Sequence, residues 1–120
     1  MLLFINSVFI LILSCSKDVC TPKPFKENII STWSIDYSRS GKVSSGIADF
    51  YDNTFNTIPE ELIIPGRYKT YLITGNNIVL KAYDRNGANI SIADGYSFLN
   101  TCNQITIRLS GNDDYFILTR

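Results

Sequence analysis

The sequence contains no histidine. This absence excludes Ser-His-Asp and Cys-His catalytic sets and removes the commonest general base and metal ligand. Neither of the two acidic pairs is expected to act in acid–base catalysis. Glu60-Glu61 is predicted to be solvated beside Pro59, and Asp113-Asp114 is predicted to occupy a hairpin turn. No calcium loop of EF-hand spacing is present. The sequence therefore predicts a protein that is not an enzyme and that holds no metal or cofactor.

The chain also lacks an excess of charge of either sign. Its 120 residues include 11 Lys+Arg and 11 Asp+Glu, so the formal net charge is zero. A protein that binds a phosphate backbone usually carries a basic excess, so we expect no nucleic-acid partner. The length predicts a single domain.

No apolar run is long enough for a comfortable transmembrane helix, which needs roughly 20 residues. Residues 2–13 are apolar apart from Asn6 and Ser7. This length fits the h-region of a secretory signal peptide, about 7–15 residues. The alternative is a buried strand that ends at Cys15, but the polarity of the sequence changes completely after that cysteine.

The end of this run, "ILSC" at 12–15, resembles the lipobox of bacterial lipoproteins. The resemblance implies a signal peptide at 1–14, a lipidated Cys15 and a tether at 15–27. Leu13 is bulkier than the usual residue, and the segment before the run has no Lys or Arg. The following "CSKD" is similar to the start of Bacteroidetes lipoproteins. This resemblance implies an envelope protein anchored in the outer membrane, on its periplasmic or its surface side.

Three cysteines are an odd number, so at least one has a role other than an internal disulfide. With Cys15 as the lipid site, Cys20 and Cys102 remain, in a compartment where disulfides persist. We expect them to pair and to attach the tether to the domain; two free thiols are the alternative. Closing a loop of about 80 residues would contribute roughly 4 kcal/mol.

From residue 28 onward the hydrophobic period is two, which predicts strands. Segment 38–46 is predicted to be a turn, and 57–66, which contains Pro59 and Pro65, a loop or broken edge segment. Seven strands are expected, at 30–37, 47–55, 67–74, 78–83, 90–99, 104–109 and 115–119. Hairpin-connected strands of this kind predict an all-β fold, a small antiparallel up-and-down barrel of about seven or eight strands at 28–120.

The segments "IISTWSI", "ADFYDNTF", "YKTYLITGNNIVLKAYD" and "YFILTR" resemble the lipocalin-like lipoproteins of Bacteroidetes. The resemblance implies that Arg120, near the last strand, stacks on Trp33 of the first strand at the barrel floor. Two features depart from the family pattern. Ser31 stands where a glycine is usual, and seven strands are counted instead of eight.

Strict alternation puts Asp94 on the same face as Ile90, Ile92, Tyr96 and Phe98, which is predicted to be the inner face. A bulge at Asp94-Gly95 that turns the acid outward is the favoured interpretation. The alternative is an inward carboxylate that binds a polar ligand group, with Tyr96 beside it.

In "GRYKTY", Arg67, Lys69 and Tyr71 share one face of the predicted third strand, and that face is predicted to be solvated. The function expected from the lipocalin-like resemblance is binding of a small apolar or amphipathic ligand. The alternative is a filled barrel that acts as a structural, protein-interaction or inhibitor subunit of an envelope complex. Inward-facing Tyr and Phe side chains would favour the filled barrel, because a barrel this small holds side chains or one small ligand.

Overall fold

The computed structural model of the chain describes residues 20–111 and 113–120. The predicted signal peptide, Cys15 and the first residues of the predicted tether lie outside the described residues. One short helix and eight strands follow, and their bounds are α1 (Phe25–Asn28), β1 (Thr32–Arg39), β2 (Lys42–Phe50), β3 (Phe55–Ile58), β4 (Tyr68–Thr74), β5 (Asn77–Tyr83), β6 (Asn89–Asn100), β7 (Gln104–Leu109) and β8 (Tyr115–Thr119).

The strands form one antiparallel sheet in the order β3-β2-β1-β8-β7-β6-β5-β4. Every strand except β3 and β4 has two neighbours, and the first and last strands of the chain pair with each other. The edge strands β3 and β4 meet through one bridge, Thr54 to Thr70, and a hydrogen bond of 3.0 Å from the Tyr71 amide to the Asn53 carbonyl. The sheet is therefore a nearly closed barrel, and the predicted all-β up-and-down barrel is confirmed, with eight strands.

The bounds of the predicted turn at 38–46 and of the predicted strand at 47–55 are wrong, although a turn and a strand are present there. The chain turns at Ser40 and Gly41, both with positive φ, and β2 begins at Lys42. Its first four residues are exposed on both faces, so they carry no apolar alternation that sequence reasoning could detect. Gly46 lies where β2 passes β3 closely: a Cβ there would overlap the carbonyl oxygen of Ile58. The chain needs glycine at this point because any side chain would separate the two strands.

The short edge strand β3 begins at Phe55, the last residue of the predicted strand at 47–55, and ends at Ile58, inside the segment predicted as a loop or broken edge at 57–66. Phe55 and Thr57 face inward, and Pro59, which cannot donate to a ladder, follows directly after the strand. Residues 59–66 then fold over one end of the barrel and bury Leu62, Ile63 and Ile64. We call this the loop end of the barrel.

The opposite end carries Cys20, α1, the start of β1 and Arg120, and we call it the tether end. Part of the segment predicted as an extended tether is helical here, and it buries Phe25 against the barrel. Asn28 and Ile29 are buried directly after it. Ile29 accepts a hydrogen bond of 2.9 Å from the Trp33 indole nitrogen. The chain itself therefore packs over both ends of the barrel, and a surface cleft of about 300 Å³ stays open at the loop end between β1, β2 and the 59–66 segment.

Large apolar side chains fill the inside of the barrel. Phe50 and Phe55 stack with their centroids 5.1 Å apart, and Tyr71 meets the Phe50 ring edge-on at 5.4 Å. The largest fully buried side chains are Trp33, Phe50, Phe55, Phe116, Ile29, Ile35, Ile78, Leu80, Ile105, Ile107 and Leu118. They belong to one continuous hydrophobic cluster, so the inside of the barrel is a packed core.

Candidate functional site

The tether end is organised around Arg120. Its guanidinium carbon lies 4.3 Å from the centroid of the Trp33 ring, which is the stack that the family resemblance implies. The same side chain donates to the Cys102 carbonyl at 2.8 Å and to the side-chain oxygen of Asn28 at 2.7 Å. Trp33 is buried, so the guanidinium covers the ring and closes the base of the core.

Asn28 connects three parts of the tether end. It is 2 % exposed, and its side-chain nitrogen donates to the Asn100 side chain at 2.7 Å and to the Thr101 carbonyl at 2.8 Å. Its oxygen accepts from Arg120. This single amide therefore joins α1, the end of β6 and the carboxyl terminus, and a buried amide of this kind is stable only because both of its ends are hydrogen-bonded.

The predicted disulfide between Cys20 and Cys102 is present, with 6.2 Å between the two Cα atoms. It joins the first described residue to the turn between β6 and β7, next to the Arg120 contacts. A surface cleft of about 280 Å³ lies beside it. The disulfide therefore attaches the amino-terminal segment rigidly to the tether end of the barrel.

The loop end contains a buried lysine. Lys69 is 3 % exposed; its amine donates to the Thr57 hydroxyl at 3.0 Å and to the Glu60 carbonyl, and it lies 6.0 Å from the centroid of the Phe55 ring. Burial lowers the pKa of Lys69 from its ordinary value, while the carboxylates of Glu60 and Glu61 act in the opposite direction. These hydrogen bonds hold the 59–66 segment on the barrel across the seam between β3 and β4.

The prediction that Arg67, Lys69 and Tyr71 share a solvated face is wrong. Arg67 precedes β4 and is exposed, whereas Lys69 and Tyr71 both face inward. Tyr71 donates to the Tyr51 carbonyl, and burial, with a smaller contribution from Asp52, raises its pKa to about 12. Alternation alone did not reveal this, because a lysine on one face of a strand usually indicates the solvent side.

Asp94 and Tyr96, the predicted ligand-binding candidates, lie on the outside of the barrel and are exposed. Asp94 points outward, as the favoured interpretation predicts, but without a bulge, because the register with β5 runs without a shift through Asp94 and Gly95. The alternative of an inward carboxylate is wrong. The inner positions of β6 hold small residues instead: Ala93 packs against the core, and a Cβ at Gly95 would overlap the Arg108 carbonyl oxygen. Ile92 and Tyr96 point outward, and a register shift with β7 between Ser97 and Leu99 leaves both Phe98 and Leu99 exposed.

Another cleft, of about 330 Å³, opens at the loop end. It is lined by Glu60, Glu61, Gly66, Arg67, Asp84 and Arg85. Acidic and basic side chains both surround it, so it has no strong preference for an ion of either sign. Among the described residues no group of three or more His, Cys, Asp or Glu side chains is placed to hold a metal ion.

Models of known protein families, curated protein sequences and solved structures give no match to this chain. In the described part of the chain no helix is long and apolar enough to span a membrane.

Proposed function

We propose that the chain is a lipid-anchored lipoprotein of the bacterial cell envelope whose barrel is a filled, rigid interaction or structural subunit. The observation that carries this proposal is the packed interior. An eight-stranded barrel has room for side chains or for one small ligand, and here aromatic side chains occupy that room. A ligand inside would have to displace Phe50, Phe55 or Tyr71.

The covered ends support the same proposal. Leu62, Ile63 and Ile64 bury themselves at the loop end, and α1 with Arg120 covers the tether end. A carrier needs an open mouth through which its ligand enters, whereas a subunit that acts through its outer surface does not. Binding of a small apolar ligand, which the lipocalin-like resemblance implies, stays a prediction.

Anchoring is supported by the amino-terminal sequence together with the disulfide. The lipobox-like "ILSC" ends at Cys15, and Cys20 follows five residues later. Disulfides persist in oxidising compartments beyond the inner membrane, so the bond from Cys20 to Cys102 agrees with export. Two fatty-acid chains at Cys15 would suffice for stable anchoring.

The anchoring part is tested by metabolic labelling of the full chain with an alkyne fatty acid in a bacterial host. We expect label in the parent chain and in a Cys20→Ala control, and none in Cys15→Ala. Label that persists in Cys15→Ala would contradict the assignment of the lipid to this cysteine.

The filled interior is tested by titrating the purified full chain with benzene or xenon, which enter apolar cavities. We expect no saturable binding to the parent chain. Phe116→Ala, which removes a fully buried side chain from the core, is the positive control and should acquire a binding site. Stoichiometric binding to the parent would favour the carrier function instead.

A further inference from the structure

Strand β6 carries an unusual outer face at the tether end. Tyr96, Phe98 and Leu99 are 41 %, 65 % and 41 % exposed, and we call them the β6 patch. The inner side of this strand has no room for large residues, as Gly95 demonstrates. Scattered exposed apolar residues are common on protein surfaces. The β6 patch differs because its three large side chains lie within four consecutive positions at the tether end and form one local apolar surface.

The β6 patch lies next to the point where the amino-terminal segment joins the barrel. Leu99 is three residues before Cys102, which is bonded to Cys20. Cys15 is only five residues before Cys20, and five residues of fully extended chain span at most about 18 Å. A lipid anchor at Cys15, on which this inference rests, therefore keeps the tether end close to the bilayer surface.

The disulfide is what makes this connection short. Without it the chain would first contact the barrel at Lys23, whose carbonyl accepts a hydrogen bond of 2.9 Å from the Asn100 side chain. Lys23 is eight residues after Cys15, so the reach would increase to about 29 Å. A short connection raises the effective concentration of the β6 patch at the membrane, so even weak apolar contacts are populated.

We propose that the β6 patch inserts into the boundary between headgroups and acyl chains, so that the barrel rests on the bilayer by its tether end. Tyrosine and other aromatic side chains are favoured at this depth, about 5–10 Å into the boundary. The Arg108 guanidinium lies 5.9 Å from the Phe98 centroid, where it can reach lipid phosphates while the ring contacts acyl chains.

The charged groups around the patch agree with this orientation. Lys23 and Lys26 are exposed at the tether end, where lipid phosphates would lie. Asp94 is on the same outer face of β6 but farther from the tether end, so it remains in water when the barrel rests on this end. Glu27 offsets one lysine, and phosphatidylcholine carries no net charge, so we expect the contact with this lipid to depend little on salt.

The test measures quenching of tryptophan emission by brominated phosphatidylcholine, with the full-length processed chain reconstituted in vesicles. Phe98→Trp places the reporter in the β6 patch. Val43→Trp is the matched control, because Val43 is 63 % exposed at the loop end of β2. The parent chain supplies the baseline from the buried Trp33.

We expect brominated lipid to reduce the emission of Phe98→Trp well below that of the parent, and to leave Val43→Trp unchanged. In a Phe98→Trp chain that also carries Cys20→Ala and Cys102→Ala, the loss should be smaller because the connection is longer. If brominated lipid quenches the emission of that chain as strongly as that of Phe98→Trp alone, the disulfide does not promote the membrane contact.

Acylation is measured first, by intact mass and by flotation of the chain with vesicles. An unacylated chain that does not float overturns the proposed anchoring, and the membrane contact with it. An acylated, floating chain whose Phe98→Trp emission is not quenched overturns the membrane contact alone. A blue-shifted but unquenched emission also overturns it, because a protein surface would then cover the β6 patch.

Discussion

Replacing Arg120 by alanine should destabilise the barrel more than an exposed, carboxyl-terminal side chain normally would. The guanidinium over Trp33 contributes about 1 kcal/mol as a cation–π contact. Its removal also deprives the buried Asn28 oxygen of its hydrogen-bond donor, which costs about 1–3 kcal/mol. The carbonyl of Cys102 also loses a donor. We therefore expect a total loss of about 2–4 kcal/mol in the free energy of unfolding.

Thermal unfolding followed by circular dichroism, with the disulfide intact, measures this effect. For a domain of this size the expected loss lowers Tm by roughly 10–20 °C. Arg120→Lys keeps the charge but not the paired donors and should lie between the parent and Arg120→Ala. Arg108→Ala is the control, because its ring partner Phe98 is exposed, and it should cost less than about 0.5 kcal/mol.

A loss below about 0.5 kcal/mol in Arg120→Ala would refute this reasoning, since solvent would then replace every contact of the guanidinium. An equal loss in Arg108→Ala would refute it as well, because the effect would then not depend on the buried Trp33 and Asn28.

Three further predictions concern the seam and the edge of the barrel. The folded-state pKa of Tyr71 is raised to about 12. The neutral side chain therefore contributes to the free energy of unfolding below the unfolded pKa of about 10, and this contribution is lost as pH rises from about 10 to about 12. In urea titrations at pH 10 to 12, the parent should therefore lose about 2 kcal/mol more than Tyr71→Phe; equal losses would contradict the assignment. The folded-state pKa of Lys69 is lowered, so the cost of burying its charge is relieved as pH rises toward the unfolded pKa of about 10.4. Urea titrations from neutral pH up to about 10.4 should therefore show the parent gaining stability relative to Lys69→Met, and parallel curves would contradict the buried charge. Gly46→Ala should cost about 1–3 kcal/mol or more, because the new Cβ would overlap the Ile58 carbonyl oxygen; near-parental stability would show that β3 can move aside.

Strand β6 shows where sequence reasoning succeeds and where it stops. Alternation correctly grouped Ile92, Asp94, Tyr96 and Phe98 on one face, but it assigned the apolar face to the inside. Which face is inner depends on the space left by neighbouring strands, and here the Arg108 backbone leaves none beyond Gly95. A single strand carries no information about that space.

Strand β2 and Lys69 illustrate two other limits. The first half of β2 has no buried face, so its pairing with β1 follows from the turn at Gly41 and from backbone hydrogen bonds rather than from a hydrophobic pattern. Lys69 lies inside because Thr57 and the Glu60 carbonyl reach its amine from the opposite edge of the seam. Thr57 and Glu60 are only 12 and 9 residues from Lys69 in the chain, but the contacts cross the seam between β3 and β4 and form only when the sheet curls into the nearly closed barrel.

The sequence by itself determined the all-β class, the antiparallel meander and most strand positions, because a period of two and turn residues are local properties. It also predicted the Cys20–Cys102 pair once Cys15 is taken as the lipid site, with two free thiols as the alternative, and the structure contains this disulfide. Only the tertiary structure decided that the barrel is filled, that Lys69 is buried and that the β6 patch faces outward. These features depend on which side chains from different strands pack together inside the barrel. Such packing is a property of the whole barrel and cannot be read from one strand.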